Sequence, residues 1–162
     1  MDLTLLRHGK AADRLTWTGN DADRPLTEAG QARTRAVLTH LNAVIHADEI
    51  WTSPWLRARQ TAEIAGQVWG LPVREQAWLA GGACSEAEQL GHLADLGPDQ
   101  HIILVGHEPD LSCLAGYLCG GNCLGLKKAG LALLRGEATA QRMHLRALLS
   151  PAVVLGIASD LA

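Results

Sequence analysis

The segment Ile102-Ile103-Leu104-Val105 is apolar at four successive positions and stops at Gly106-His107-Glu108-Pro109. A strand sends alternate side chains to opposite faces, so an uninterrupted apolar run needs cover on both. Strands of that kind lie inside parallel sheets flanked by helices.

The other elements alternate to match. Asp2 to Leu6 is a short apolar run, read as a strand. Thr27 and Glu28 precede an Ala/Arg/Leu stretch to about Asn42, an N-cap followed by a helix whose first turn carries an acid. Glu49 to Thr52 is a further strand, and Pro54 stands where the first turn of a helix tolerates proline. Leu56 to Trp69 is alanine-rich and closes at Gly70-Leu71-Pro72. Val73 to Leu79 reads as extended. Ser85-Glu86-Ala87-Glu88 has the form of a capping box and predicts a helix to about Leu96, before Gly97-Pro98. A helix after Pro109 should reach Cys119 and end at Gly120-Gly121-Asn122, with extended stretches at Gly130 to Arg135 and Met143 to Leu148. The fold class expected is α/β: a three-layer sandwich with a mostly parallel central sheet and helices on both faces.

A chain of 162 residues fits one domain, taken as 1–162. Its hydrophobic fraction of 48% is that of a globular protein, and a net charge of -3 gives no reason to expect nucleic acid as a general partner. No charged-then-apolar N-terminal segment with a small-residue cleavage site is seen, and no apolar run approaches the ~18 residues that span a bilayer. A cytoplasmic protein with no membrane partner is expected. Cys84, Cys113, Cys119 and Cys123 contain no CxxC pair, so they are read as buried or free thiols and not as a zinc site, with the approach of Cys119 to Cys123 left open.

Ligands of such sheets sit beyond the carboxyl ends of the strands. Leu6 is followed there by Arg7-His8-Gly9, Thr52 by Ser53-Pro54 and then Arg57, and Val105 by Gly106-His107. A single histidine in such a place is most simply a structural residue, and Arg7 by itself a strand end reaching into water. Three strand ends that each deliver an arginine or histidine ask for a phosphoryl group. Arginine offers a planar fork of donors that fits phosphate oxygens and keeps its charge. A neutral imidazole can attack phosphorus and split one displacement into two. A second histidine can donate to the equatorial oxygens, and Gly9, lacking a Cβ, would let backbone N–H groups approach the anion.

Leu6-Arg7-His8-Gly9, the block from Arg24 to Gly30 reading RPLTEAG, the block from Thr52 to Ala62 reading TSPWLRARQTA, and Leu104-Val105-Gly106-His107-Glu108-Pro109 together resemble the ordered motifs of the histidine phosphatase, or phosphoglycerate mutase-like, superfamily. RHG by itself is a weak signal; the order and spacing of the set are a strong one. Short length and the RPLTEAG block resemble the SixA-type phosphohistidine phosphatases within it, and the likeness runs from Leu3 to about Leu118. The resemblance implies His8 as the nucleophile that becomes transiently phosphorylated, Arg7 and Arg57 as the phosphate clamp, and His107 completing the pocket, with no metal and no cofactor. It implies a phosphohistidine-bearing protein as partner, such as a phosphotransfer domain in signal transduction.

Many superfamily members that hydrolyse phosphate esters carry an acid between the second arginine and the second histidine. In the corresponding stretch here, Pro72 to Gly82, no acid falls clearly in that place; Glu75 is the nearest and reads more readily as a solvated strand residue. An alkoxide leaving group needs that proton, a contribution of roughly 10²–10⁴-fold, whereas imidazole, with a conjugate-acid pKa of about 6.5, needs it far less. Lys10 adds positive charge at the expected mouth. Asp21 and Asp23 are placed to pair with Arg24, and Arg59 should point away from Arg57. Of five tryptophans, Trp17 and Trp55 fall near the inferred pocket and would suit a protein-docking rim. A phosphatase for small esters and a module that binds phosphate without turnover are the alternatives.

Overall fold

The structure is a computed structural model and describes residues 1–94 and 96–156. Six strands, β1 (Asp2–Arg7), β2 (Glu49–Thr52), β3 (Val73–Glu75), β4 (His101–Gly106), β5 (Leu131–Gly136) and β6 (Met143–Leu149), form one sheet in the order β3-β2-β4-β1-β5-β6. The first four in that order are parallel, and β5 runs antiparallel to both its neighbours, so one strand in the sheet is reversed.

The central strands divide their side chains between two cores, as the apolar runs require. Leu3 and Leu5 of β1 and Ile102 and Leu104 of β4 face one layer; Leu6, Ile103 and Val105 face the other. Helices α1 (Glu28–His40), α2 (Leu56–Trp69) and α5 (Pro151–Leu155) cover the second core, while α3 (Glu86–Leu93) and α4 (Asp110–Cys119) cover the first. A three-layer α/β sandwich results.

Local chemistry sets the helix ends. Thr27 Oγ1 caps Gly30 N, and Ser85 and Glu88 close a reciprocal capping box. Gly70 and Gly120 take left-handed conformations that stop α2 and α4. Four expectations change. Pro54 precedes α2 by two residues, with Trp55 as the capping position. The extended segment from Val73 ends at Glu75, and Ala77–Leu79 tightens into a 3-10 turn that buries Trp78 and Leu79. The helix begun at Ser85 ends at Leu93. Cys113 and Cys123 form a disulfide, correcting the reading of all four cysteines as thiols: beyond Gly120 the chain folds back along α4, with Leu124 N bonded to Ser112 O, and brings Cys123 onto the helix. Cys84 and Cys119 are free thiols. Among the described residues no helix is long and apolar enough to cross a membrane.

Candidate active site

The loop after β1 is fixed by hydrogen bonds from three directions. His8 N donates to Gly106 O at the end of β4, Ala129 N reaches the carbonyls of Arg7 and His8, and Gly9 N donates to Thr61 Oγ1 on α2. Gly9 was expected to let backbone approach an anion; its place is different. Its N–H is spent on Thr61, its carbonyl takes His8 Nδ1 at 2.7 Å, and a Cβ there would lie 2.3 Å from Thr34 Oγ1. Glycine is required at this position because α1 comes so close, and the effect is to aim the histidine.

With Nδ1–H donated to Gly9 O, the lone pair of His8 sits on Nε2, which accepts Arg57 Nε at 3.3 Å. His8 and His107 are both buried, with ring centroids 5.2 Å apart. Burial holds His8 down at about 3, the surrounding Arg57, Arg7 and Arg24 adding to it against the Gly9 hydrogen bond. His107 is likewise held at about 3, first by burial and then by His8 and Arg57. Both imidazoles are therefore neutral at ordinary pH.

Arg57 stands in the first turn of α2 and is only 4% exposed. It stacks over the Trp55 ring at 4.6 Å and donates to Asp21 twice, through Nη1 to the carbonyl (2.6 Å) and Nη2 to Oδ2 (3.0 Å). Arg24 Nε holds the other carboxylate oxygen of Asp21 at 2.9 Å. Burial would raise that carboxyl, but these two arginines outweigh it and keep it below the usual range. Arg7 spends Nη1 on Leu126 O (2.6 Å) and leaves Nε without a partner. His107 meets Ser53 Oγ through Nε2 at 2.8 Å, lies against Trp55, and has a buried, unpartnered Nδ1.

Arg7, His8, Arg57 and His107 thus line one open cleft of about 940 Å³, with Lys10 at its edge. Glu75 is outside it, exposed on β3 and 3.6 Å from Arg59. From the segment between β3 and α3 the cleft receives Gly81 and Gly82, and a Cβ on Gly81 would come 3.0 Å from the Trp55 ring. Trp55 lies in the cleft wall and Trp17 does not. Asp21 pairs with Arg24 as expected, and its grip on Arg57 was not foreseen. Glu108 was also missed. Burial raises its carboxyl, Oε2 is hydrogen-bonded to Ser112, and Oε1 is sealed from solvent without a partner.

Residues 3–90 match the family model of the histidine phosphatase superfamily, branch 1. The chain belongs to this superfamily. An uncharacterised protein of Picosynechococcus sp. is 39% identical to it over 150 residues, 89% of this chain and 90% of that one. Among solved structures, the protein histidine phosphatase SixA in complex with tungstate overlays with a TM-score of 0.83 at 24% identity, covering 93% of this chain and 97% of SixA. The putative phosphohistidine phosphatase SixA of Agrobacterium tumefaciens gives 0.79 at 26%, again over 93% and 97%. A putative alpha-ribazole-5'-P phosphatase of Escherichia coli gives 0.74 at 19%, over the same shares. The superfamily match ends before His107, whose place in the cleft comes from the pairing of β4 beside β1.

Proposed function

We propose that this histidine phosphatase superfamily member hydrolyses phosphohistidine carried on a protein of signal transduction, through a phosphoryl group held transiently on His8. The observation that carries the reading is a neutral His8 whose Nε2 lone pair meets Arg57, in a cleft shared with Arg7 and His107 whose wall from the segment between β3 and α3 is Gly81 and Gly82. Nucleophile and cations are provided; of the carboxylates that line the cleft, Asp21 is held by arginines, Asp13 and Asp110 each accept a backbone N–H, and Glu108 accepts from Ser112.

In the first step Nε2 of His8 forms a bond to phosphorus as the phosphorus–nitrogen bond of the substrate breaks. The departing imidazole leaves neutral once its other nitrogen is protonated, which its pKa of about 6.5 allows near neutral pH. Arg7 and Arg57 neutralise the oxygens, and the unpartnered Nδ1 of His107 is the atom available to them. Water then attacks phosphorus, His8 leaves with its lone pair, and the proton of the water goes to inorganic phosphate. The protein's own cations supply the charge neutralisation, so the activity is expected to persist in chelator.

Hydrolysis of a phosphohistidine peptide beside a phosphoserine peptide and p-nitrophenyl phosphate, with His8→Ala as control, tests this. Rapid release from phosphohistidine, lost in the control, supports it. Ester hydrolysis as fast or faster overturns it and favours a small-ester phosphatase, for which Glu108 is the acid at hand and Glu108→Gln the diagnostic variant. No turnover, with phosphate retained, favours a binding module.

A further inference from the structure

We propose that the mouth of the cleft is a docking rim for an acidic protein surface that also offers an apolar contact, an inference that rests on the phosphohistidine reading and names the surface on which such a substrate is carried. The protein as a whole carries a net charge of -3, yet Lys10, Arg14 and Lys128 stand exposed around the cleft. Among the described residues none of these three has an ion-pair partner. The neighbouring carboxylates are engaged within the protein: Asp13 accepts Leu15 N at 2.9 Å, Asp21 is divided between Arg24 and Arg57, and Asp110 accepts Gly82 N at 2.7 Å. Outside the phosphate clamp the three rim cations outnumber Asp13 and Asp110, whose carboxylates are turned to backbone N–H groups and not to those cations.

Beside Arg14 the side chain of Leu15 is 94% exposed. Its presentation is built, not frayed: the Asp13 carboxylate holds Leu15 N, Asp13 O accepts Trp17 N at 3.0 Å, and Trp17 Nε1 donates to Asn20 O at 2.9 Å. A loop tied down at both sides of a leucine, with that leucine turned out beside a cation-lined cleft, has the make-up of a contact that becomes buried on association. An isolated phosphoryl group uses the deep arginines and gains nothing from Leu15. A protein surface with acidic side chains around the phosphohistidine gains from both, because rim charges speed encounter and suppress like-charged partners.

The test compares free phosphohistidine with two phosphohistidine peptides, one flanked by glutamates and a leucine and the other by lysines. We expect kcat/KM for the acidic peptide to exceed that for the basic one by roughly tenfold at low salt, and the gap to close as ionic strength rises. Arg14→Gln with Lys128→Gln should shrink the gap, and Leu15→Ser should cost the acidic peptide about fivefold while free phosphohistidine is hydrolysed as before. Equal rates on the two peptides, or a preference unmoved by these variants, overturns the docking rim and leaves the phosphatase reading intact. Failure to hydrolyse phosphohistidine in any of the three forms overturns that reading, and the rim with it. Equal peptide rates together with Leu15-dependent binding to phosphatidylserine-containing vesicles overturns the proposal in favour of a lipid surface.

Discussion

Strand β4 begins at His101 and is followed directly by His107, so one strand offers the same side chain at both edges of the sheet. At the amino edge His101 Nε2 meets Thr4 Oγ1 at 2.8 Å, and burial lowers its pKa while Asp2 and Asp48 pull it back up. Asp2 in turn holds Arg135 through both carboxylate oxygens. Around His107 the relation is reversed: His8 and Arg57 reinforce burial, and Nδ1 has no partner. At the amino edge the histidine ring is hydrogen-bonded to Thr4 and Asp2 is closed by Arg135, so both are satisfied within the protein. The edge at His107 has neutral imidazoles, an Nδ1 with no partner among the described residues, and the arginines Arg7 and Arg57 on an open cleft, an arrangement that an anion from outside would complete.

The contrast can be broken most decisively at its reactive end. Replacing His8 with Asn should lower phosphohistidine hydrolysis by roughly 10³-fold or more and abolish acid-labile phosphoryl labelling of the protein, because the covalent route disappears. His101→Gln at the other edge should leave kcat/KM within about twofold and cost about 1 kcal/mol in urea unfolding, the worth of one hydrogen bond. Arg57→Lys should cost roughly 10²-fold, since an ammonium cannot hold Asp21, His8 and phosphate with one planar fork.

A pH series sharpens the same comparison. His8 and His107 stand at about 3 in the folded protein, against an ordinary 6.5 when unfolded. Between these values the unfolded chain binds more protons, so the stability these two contribute is complete above pH 6.5 and lost progressively as pH falls toward 3. The melting temperature should therefore drop between pH 7 and pH 4, and the drop should be shallower in a His8→Asn/His107→Asn variant. The smallest effect belongs to Glu75→Gln, expected to change phosphohistidine hydrolysis by less than about twofold, because that carboxylate is exposed on β3, pairs with Arg59 and lies outside the cleft. A large loss in this variant would mean that Glu75 leaves Arg59 and turns into the cleft, against its exposed place on β3.

Much of this was legible in the chain. The apolar runs of β1 and β4 required two-sided cover, and Thr27, Ser85, Gly70 and Gly120 marked helix ends by chemistry that acts within a few residues. Arg7, His8, Arg57 and His107 could be placed at one edge because parallel strands put their carboxyl ends on the same side. The reversal of β5 left no such mark, since apolar spacing is the same in either direction. Neither Asp21 on Arg57 nor the cystine at Cys113 and Cys123 could be read, because each depends on where a loop returns in space.

The sequence alone therefore determined the layers, the strand ends and the residue types that meet there, all consequences of short-range periodicity and capping. Tertiary structure decided which nitrogen of His8 carries the lone pair, that the approach of α1 requires Gly9, that Glu75 faces solvent, and that Lys10, Arg14 and Lys128 have no ion-pair partner among the described residues. Those outcomes hang on distances between segments far apart in the chain, and hydrogen bonding, burial and charge all change sharply over an ångström or two.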